Sequence, residues 1–133
     1  MRKYLIKYLL VSIITICISV LASCSKQDPI IDSDVFIGKL VKKGICLNYV
    51  IEVNDPSFPQ DMIELNWKDE FSGKKYSNVF TVKNVCRFPS NISEEDSFEF
   101  IIENKKDLPC AVCQAYTPVP SKFINITVLE LLD

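Results

Sequence analysis

Apolar and polar residues alternate with a period of two along much of the chain after residue 34, and this pattern constrains the fold more than any other feature. Between Leu47 and Val53, for example, alternate side chains would face opposite sides of a strand. Similar stretches predict about six strands, at residues 35–41, 47–53, 63–67, 76–82, 98–102 and 124–128. The sequence therefore predicts a mainly antiparallel β domain.

Residues that favour turns separate the predicted strands. These are Lys43-Gly44, Asp55-Pro56, Ser72-Gly73-Lys74 and Pro89-Ser90-Asn91. Residues Asn91 to Asp96 could instead open a short helix with Ser93 as its N-cap. We expect the sheet to protect its edges by closing, or nearly closing, into a small barrel, and a β-sandwich is the alternative.

Residues 1–23 have the pattern of a secretory signal peptide. Arg2, Lys3 and Lys7 precede a run from Tyr8 to Ser25 that carries no charge and is rich in Ile, Leu and Val. Cys17 lies inside this apolar run, so we expect it to be removed with the leader. The alternative is a single transmembrane helix, because a run of this length can almost span a bilayer.

The leader ends in Leu21-Ala22-Ser23-Cys24, which resembles the lipobox of bacterial lipoproteins. The resemblance implies that the Cys24 thiol receives a diacylglyceryl group and that the chain is cut between Ser23 and Cys24. Acyl chains such as palmitate would then hold the protein on a membrane. Residues 24–34 are predicted to form a lipidated, polar tether, and residues 35–133 a β-barrel-like domain.

Charge limits the partners of the mature chain. From Cys24 onward it has 12 basic and 17 acidic residues, a net charge of −5, and no basic stripe. This distribution does not favour nucleic acid as a partner. It also lacks a polybasic run that would bind anionic lipid, so we expect membrane attachment through the lipid on Cys24.

Histidine is absent, which excludes Ser/His/Asp and Cys/His catalysis and histidine-ligated metals. The adjacent acids Asp69-Glu70 and Glu94-Glu95-Asp96 lack the spacing and the glycine of a calcium loop, and we expect them to form solvated edges. The sequence thus predicts no catalytic residue, no metal site and no cofactor.

Four cysteines remain in the mature domain: Cys46, Cys86, Cys110 and Cys113. An even number in an oxidising compartment predicts two disulfides, with three possible pairings. Pairing Cys46 and Cys86 with the two residues of the Cys-x-x-Cys motif would close long loops, each stabilising the fold by about 3–5 kcal/mol. We favour such a framework.

Two other uses of these cysteines are possible. The Cys110-x-x-Cys113 spacing suits thiol-disulfide exchange, although Pro118 and Pro120 prevent the continuous helix that usually follows such a motif. The four thiolates could also bind zinc, but a second Cys-x-x-Cys is missing.

An aromatic platform for a sugar or peptide could be formed by Trp67, Phe71, Tyr76, Phe80 and Phe88. We expect most of these five side chains to fill the core instead, because so small a barrel needs bulky residues inside. Phe58 lies in a loop flanked by Pro56 and Pro59, and Tyr116 follows the last two cysteines. We predict that Phe58 and Tyr116 belong to a contact surface.

The mature chain resembles small exported Bacteroidota lipoproteins with an OB-like barrel. The stretches that carry the resemblance are Gly38-Lys39-Leu40-Val41, Gly44-Ile45-Cys46, Tyr49-Val50-Ile51-Glu52, Asn84-Val85-Cys86-Arg87-Phe88-Pro89, Asp96-Ser97-Phe98-Glu99-Phe100 and Cys110-Ala111-Val112-Cys113. It implies an OB-like barrel of five or six strands and a lipoprotein of the cell envelope, anchored in the outer membrane and facing either the periplasm or the surface.

The resemblance does not supply an activity. We expect a non-catalytic binding or structural module that contacts a protein or glycan in the envelope. The alternative is a thiol-redox or small-ligand-carrying protein that uses Cys110 and Cys113.

Overall fold

The computed structural model describes residues 34–104 and 110–132. The strands are β1 (Val35–Gly44), β2 (Asn48–Val53), β3 (Glu64–Lys68), β4 (Lys75–Val82), β5 (Ser97–Ile102), β6 (Phe123–Ile124) and β7 (Ile126–Leu132). Short 3₁₀ turns occupy Ile45–Leu47, Gln60–Met62 and Val85–Arg87. The predicted signal peptide, its cleavage site at Ser23 and Cys24, and the tether as far as residue 33 lie outside the described residues.

The strands form one sheet in the order β3-β4-β2-β1-β5-β7, with β6 beside β4. Every pair is antiparallel except β4 with β6. The prediction of a mainly antiparallel β fold with about six strands is therefore confirmed. Among the described residues no ladder joins β3 to β7, so the sheet is not closed by hydrogen bonds between those end strands.

The predicted strand at 124–128 is divided in two at Asn125. β6 pairs with β4, whereas β7 pairs with β5, so the chain passes from one part of the sheet to another within a single residue. The Asn84 side chain fixes this crossing, because its Nδ2 donates to the Ile126 carbonyl (2.7 Å) and its Oδ1 accepts from the Ile126 N–H (3.0 Å). Both bonds are buried, and an amide side chain can satisfy both backbone groups at once.

The segment that could have opened a short helix forms turns instead. The Ser93 N–H donates to the Asp96 carboxylate (2.8 Å), and the Asp96 N–H donates back to the Ser93 carbonyl (3.2 Å). Glu95 has a φ of 78°, in the left-handed region, so a right-handed helix cannot continue through it.

The main core lies on one face of the sheet and is rich in phenylalanine. Its fully buried rings are Phe58, Phe80, Phe98 and Phe100. These four rings and the ring of Phe36 pack on one another edge-on, tilted or stacked. The ring centroids of the contacting pairs are 4.8 to 6.1 Å apart. Such ring pairs add to the stability that burial alone provides.

Phe58 was predicted to lie on a contact surface, and that prediction is wrong because only 1% of its surface is exposed. The Asp55 carboxylate accepts hydrogen bonds from the Ser57 N–H (2.8 Å) and hydroxyl (2.7 Å), and the Phe58 N–H donates to the Asp55 carbonyl (3.1 Å). This Asx turn folds the proline-flanked loop inward, so that the ring covers Phe80.

A smaller apolar cluster lies on the opposite face of the sheet. It contains Val41, Val50, Trp67 and Val79. Leu40, Ile51 and Phe80, which adjoin the three valines in sequence, belong to the main core. Val119, which comes from the segment after the last cysteines, packs against it. The middle of the sheet is thus buried on both faces, and residues 117–120 cover the second one.

Gly38 is required where β1 crosses the core. A Cβ at this position would lie 2.8 Å from Ile51 Cγ2 and 2.9 Å from Phe100 Cε1. We expect Gly38→Ala to lower the free energy of unfolding by about 1–3 kcal/mol, because overpacking forces these buried side chains to move. Urea unfolding measures the loss. Ser77→Ala, on an exposed part of β4, is the control and should change stability by less than about 0.5 kcal/mol.

Candidate functional site

Two disulfides tie the segment of residues 110–120, which we call the strap, to turns at the ends of strands. Cys113 pairs with Cys46, in the turn between β1 and β2, and Cys110 pairs with Cys86, in the turn after β4. The Cα atoms are 5.0 Å apart in the first pair and 6.2 Å apart in the second, within the usual range. The prediction of two cross-links to the Cys-x-x-Cys motif is confirmed.

The pairing also bears on the other uses considered for these cysteines. A redox motif of the usual kind joins its own two sulfurs, whereas here Cys110 and Cys113 each bond a different partner. Sulfurs held in disulfides are not thiolate ligands for zinc. Among the described residues, no group of three or more Cys, Asp or Glu side chains is arranged to hold a metal ion.

The Cys46–Cys113 bond constrains an unusual turn. Cys46 and Leu47 both have a φ of 61°, in the left-handed region that residues other than glycine rarely adopt. Such conformations persist only where the surroundings hold them. The disulfide therefore fixes the strap and the turn between β1 and β2 together.

Hydrogen bonds hold the other end of the strap. The Thr81 hydroxyl donates to the Pro120 carbonyl (2.8 Å), and the Lys42 ammonium donates to the Pro118 carbonyl (3.1 Å). Both prolines are buried, and the strap has no regular secondary structure, as their presence predicted. Residues 110–116, in contrast, are exposed. The strap is thus held at both ends, and its exposed part is residues 110–116.

A buried ion pair lies beneath the strap. Lys42 Nζ is 2.8 Å from Asp69 Oδ1, and the side chains are only 14% and 5% exposed. The Asp69 carboxylate also accepts from the Ser72 hydroxyl (2.7 Å) and the Phe71 N–H (3.2 Å). We predicted a solvated edge at Asp69-Glu70; for Asp69 this is wrong, because the turn between β3 and β4 directs its side chain toward Lys42.

Acid should weaken the fold through Asp69. Burial raises the pKa of Asp69, but hydrogen bonds from Lys42, Ser72 and the Phe71 N–H outweigh it and lower the pKa from 3.8 to about 2. A lowered pKa stabilises the folded state above the unfolded value, and this contribution is lost as the pH falls from about 4 to about 2. Denaturant unfolding across this range should show a smaller decrease for Asp69→Asn than for the wild type.

Two lysines and four aromatic rings lie in a row that begins at the tip of the β3–β4 hairpin and ends on the strap. Lys74 Nζ lies 5.0 Å from the Tyr76 ring, and Tyr76 stacks on Trp67 at 5.5 Å. Lys42 Nζ lies 5.3 Å from the Trp67 ring and 5.9 Å from the Phe71 ring. Separations below about 6 Å are typical of cation–π attraction. We call this set, continued onto Tyr116, the aromatic row.

Tyr116 completes the aromatic row from the strap. Its ring meets the Phe71 ring edge-on at 6.0 Å, and its hydroxyl donates to Glu70 Oε2 (3.0 Å). Phe71 and Tyr116 are each 68% exposed. Tyr116 therefore has the exposure that its predicted place on a contact surface requires. The prediction that Phe71 belongs to the core is wrong, because the turn that buries Asp69 leaves the Phe71 ring outside.

A groove of about 370 Å³ borders the strap. Its walls are the strap, from Val112 to Thr117, and the residues Val82, Val85 and Phe123. Phe123 is 54% exposed and Val112 is 45% exposed. Exposed apolar side chains thus line part of this groove, which is typical of a contact surface.

Some residues of the site were not predicted. Lys42 occupies an ordinary polar position of β1, and nothing in the local sequence indicates that it reaches Asp69, 27 residues away. Lys74 was predicted only as part of a turn. No local signal existed for Lys42, because its role depends on the packing of β1 against the turn between β3 and β4.

The chain was compared with protein-family models, curated proteins and solved structures, and none of the three comparisons found a match. Within residues 34–104 and 110–132, no helix has the length and apolar character needed to cross a bilayer.

Proposed function

We propose that this protein is a lipoprotein of the cell envelope, anchored by acyl chains on Cys24, whose β domain acts without catalysis by contact with a partner protein or glycan. The leader and its Leu21-Ala22-Ser23-Cys24 sequence support the anchor. The acyl chains would hold the domain stably on the outer membrane.

The observation that carries the contact role is the exposed pair of rings formed by Phe71, in the turn between β3 and β4, and Tyr116, on a strap fixed by two disulfides. Rings in this position lose water when a partner covers them, and a rigid strap loses little conformational entropy on binding. Disulfides form and persist in oxidising compartments outside the cytoplasm, so the two disulfides also support the proposal that the protein is exported.

The anchor can be tested in a bacterial host grown with an alkyne analogue of palmitate. We expect the wild-type protein to incorporate the label and to sediment with membranes, and Cys24→Ser to abolish both, because the thioether cannot form. Cys17→Ser is the matched control, since it alters a leader cysteine that the proposal does not use. An unlabelled wild-type protein, or a labelled Cys24→Ser variant, would contradict the proposal.

A further inference from the structure

β7 is an end strand of the sheet, and one of its two edges has no partner strand. Among the described residues β7 pairs only with β5, and apart from that ladder no backbone hydrogen bond involves residues 127–132. Only the start of the edge is occupied, because the Asn84 side chain binds both backbone groups of Ile126. A free edge offers a row of N–H and C=O groups to a further strand.

The composition of β7 leaves this edge open to pairing. Many edge strands are protected by lysine or proline. β3, the other end strand of the sheet, has five residues and ends in Lys68, whereas β7 has seven residues and contains neither lysine nor proline. Glu130 is the one charged residue of β7. An added strand would therefore have to suit this carboxylate.

The two faces of β7 differ in chemistry. Leu131 lies opposite Phe98 of the main core, so it is on the core face of the sheet, yet it is 40% exposed at the edge. Glu130 is on the other face, directly opposite Glu99 of β5. A strand beside β7 could cover Leu131 with apolar side chains on one face and would meet Glu130 with the other.

The Glu99 and Glu130 carboxylates have no cation of their own. Like charges directly opposite each other destabilise a sheet. Among the described residues neither carboxylate forms a salt bridge, and Lys39, on the same face of β1, is paired with Glu95 instead. A basic side chain in an added strand would offset this repulsion.

We infer that the free edge of β7 binds an extended segment of a partner protein, with apolar residues on one face and lysine or arginine on the other. This inference rests on the proposed contact function and adds a second surface, for a protein partner, to the exposed rings. Backbone hydrogen bonds supply affinity in this mode of binding, and alternate side chains supply specificity. The β7 strand of a second copy does not fit, because it would bring another Glu130 and no cation.

The test uses the lipidated protein, purified in neutral detergent, and measures its binding to fluorescein-labelled peptides by fluorescence anisotropy. The probe is the peptide TVKVTVKVT, which as a strand presents its valines on one face and its lysines on the other. We expect saturable binding that weakens as salt is added. The acidic peptide TVEVTVEVT should bind at least about tenfold more weakly. Methylation of every backbone nitrogen of TVKVTVKVT should abolish binding, because the peptide then donates no backbone hydrogen bond.

Two substitutions of Glu130 test the role of its charge. Glu130→Gln should weaken the binding of TVKVTVKVT about fivefold, and Glu130→Lys should transfer the preference to TVEVTVEVT. Asp61→Asn is the control, because it removes an exposed negative charge from the turn between β2 and β3, away from β7. It should leave binding unchanged within about twofold. Thermal unfolding of each variant checks that it folds.

The inference is overturned if TVEVTVEVT binds the wild type as tightly as TVKVTVKVT, or if the methylated peptide binds as well as the unmethylated one. It is also overturned if both Glu130 variants keep the wild-type preference, or if chemical cross-linking joins β7 of one copy to β7 of another. Each of these results leaves fatty-acid labelling at Cys24 unaffected, so it is distinguishable from a failure of the proposed function.

Discussion

We expect the double variant C46A/C113A to lose about 4 kcal/mol of unfolding free energy, because its disulfide closes a loop of 67 residues in the unfolded chain. The variant C86A/C110A, whose cysteines are 24 residues apart, should lose about 3 kcal/mol. A domain of this size has a small core, so either loss is a large fraction of its total stability. Guanidinium unfolding of the purified domains measures both losses.

Val112→Ala is the control for the disulfide variants. Val112 lies between the two strap cysteines and is 45% exposed, so its truncation should cost less than about 1 kcal/mol. If C46A/C113A were no less stable than Val112→Ala, the strap would not be braced as described. The left-handed turn at positions 46 and 47 should also become mobile in the C46A/C113A variant, and faster exchange of its backbone amide protons would show this.

We expect Asp69→Ala to destabilise the domain by about 3–5 kcal/mol, because it leaves the Lys42 ammonium buried without its counter-charge. Replacing Lys42 with methionine alone should also be costly, since it leaves the carboxylate unpaired. The double variant K42M/D69A should be less destabilised than the sum of the two single variants, and the difference measures the coupling between the two charges.

The surface pair Lys39 and Glu95 is the control for this cycle. Both side chains are substantially exposed, and such ion pairs contribute little. Glu95→Gln should therefore change stability much less than Asp69→Ala. Additive effects of the Lys42 and Asp69 substitutions would show that the buried pair has no cooperative role, and would contradict its assignment as the link between β1, the hairpin turn and the strap.

The strands could be predicted because their cause is local. Alternation of apolar and polar side chains placed all six predicted strands, and glycine, proline and asparagine marked the turns between them. The division at Asn125 could not be predicted in this way. It depends on which strands β6 and β7 meet, and on the Asn84 side chain, which binds Ile126 from 42 residues away in sequence.

The candidate site was less predictable, because it is assembled from distant segments. The number of disulfides followed from the even cysteine count, but the choice of Cys46 for Cys113 depends on where the strap crosses the sheet. The predicted exposure of a side chain was wrong where a turn points that side chain in the direction opposite to the expected one. The Asx turn at Asp55 buries Phe58, and the turn at Asp69 exposes Phe71.

The most direct test of this account is peptide mapping by mass spectrometry of protein isolated from the membranes of growing cells, without reduction. The account predicts an acylated peptide that begins at Cys24, one cross-linked peptide pair joining Cys46 to Cys113, and one joining Cys86 to Cys110. A peptide with Cys110 bonded to Cys113, free thiols at these four positions, or an intact leader would contradict it.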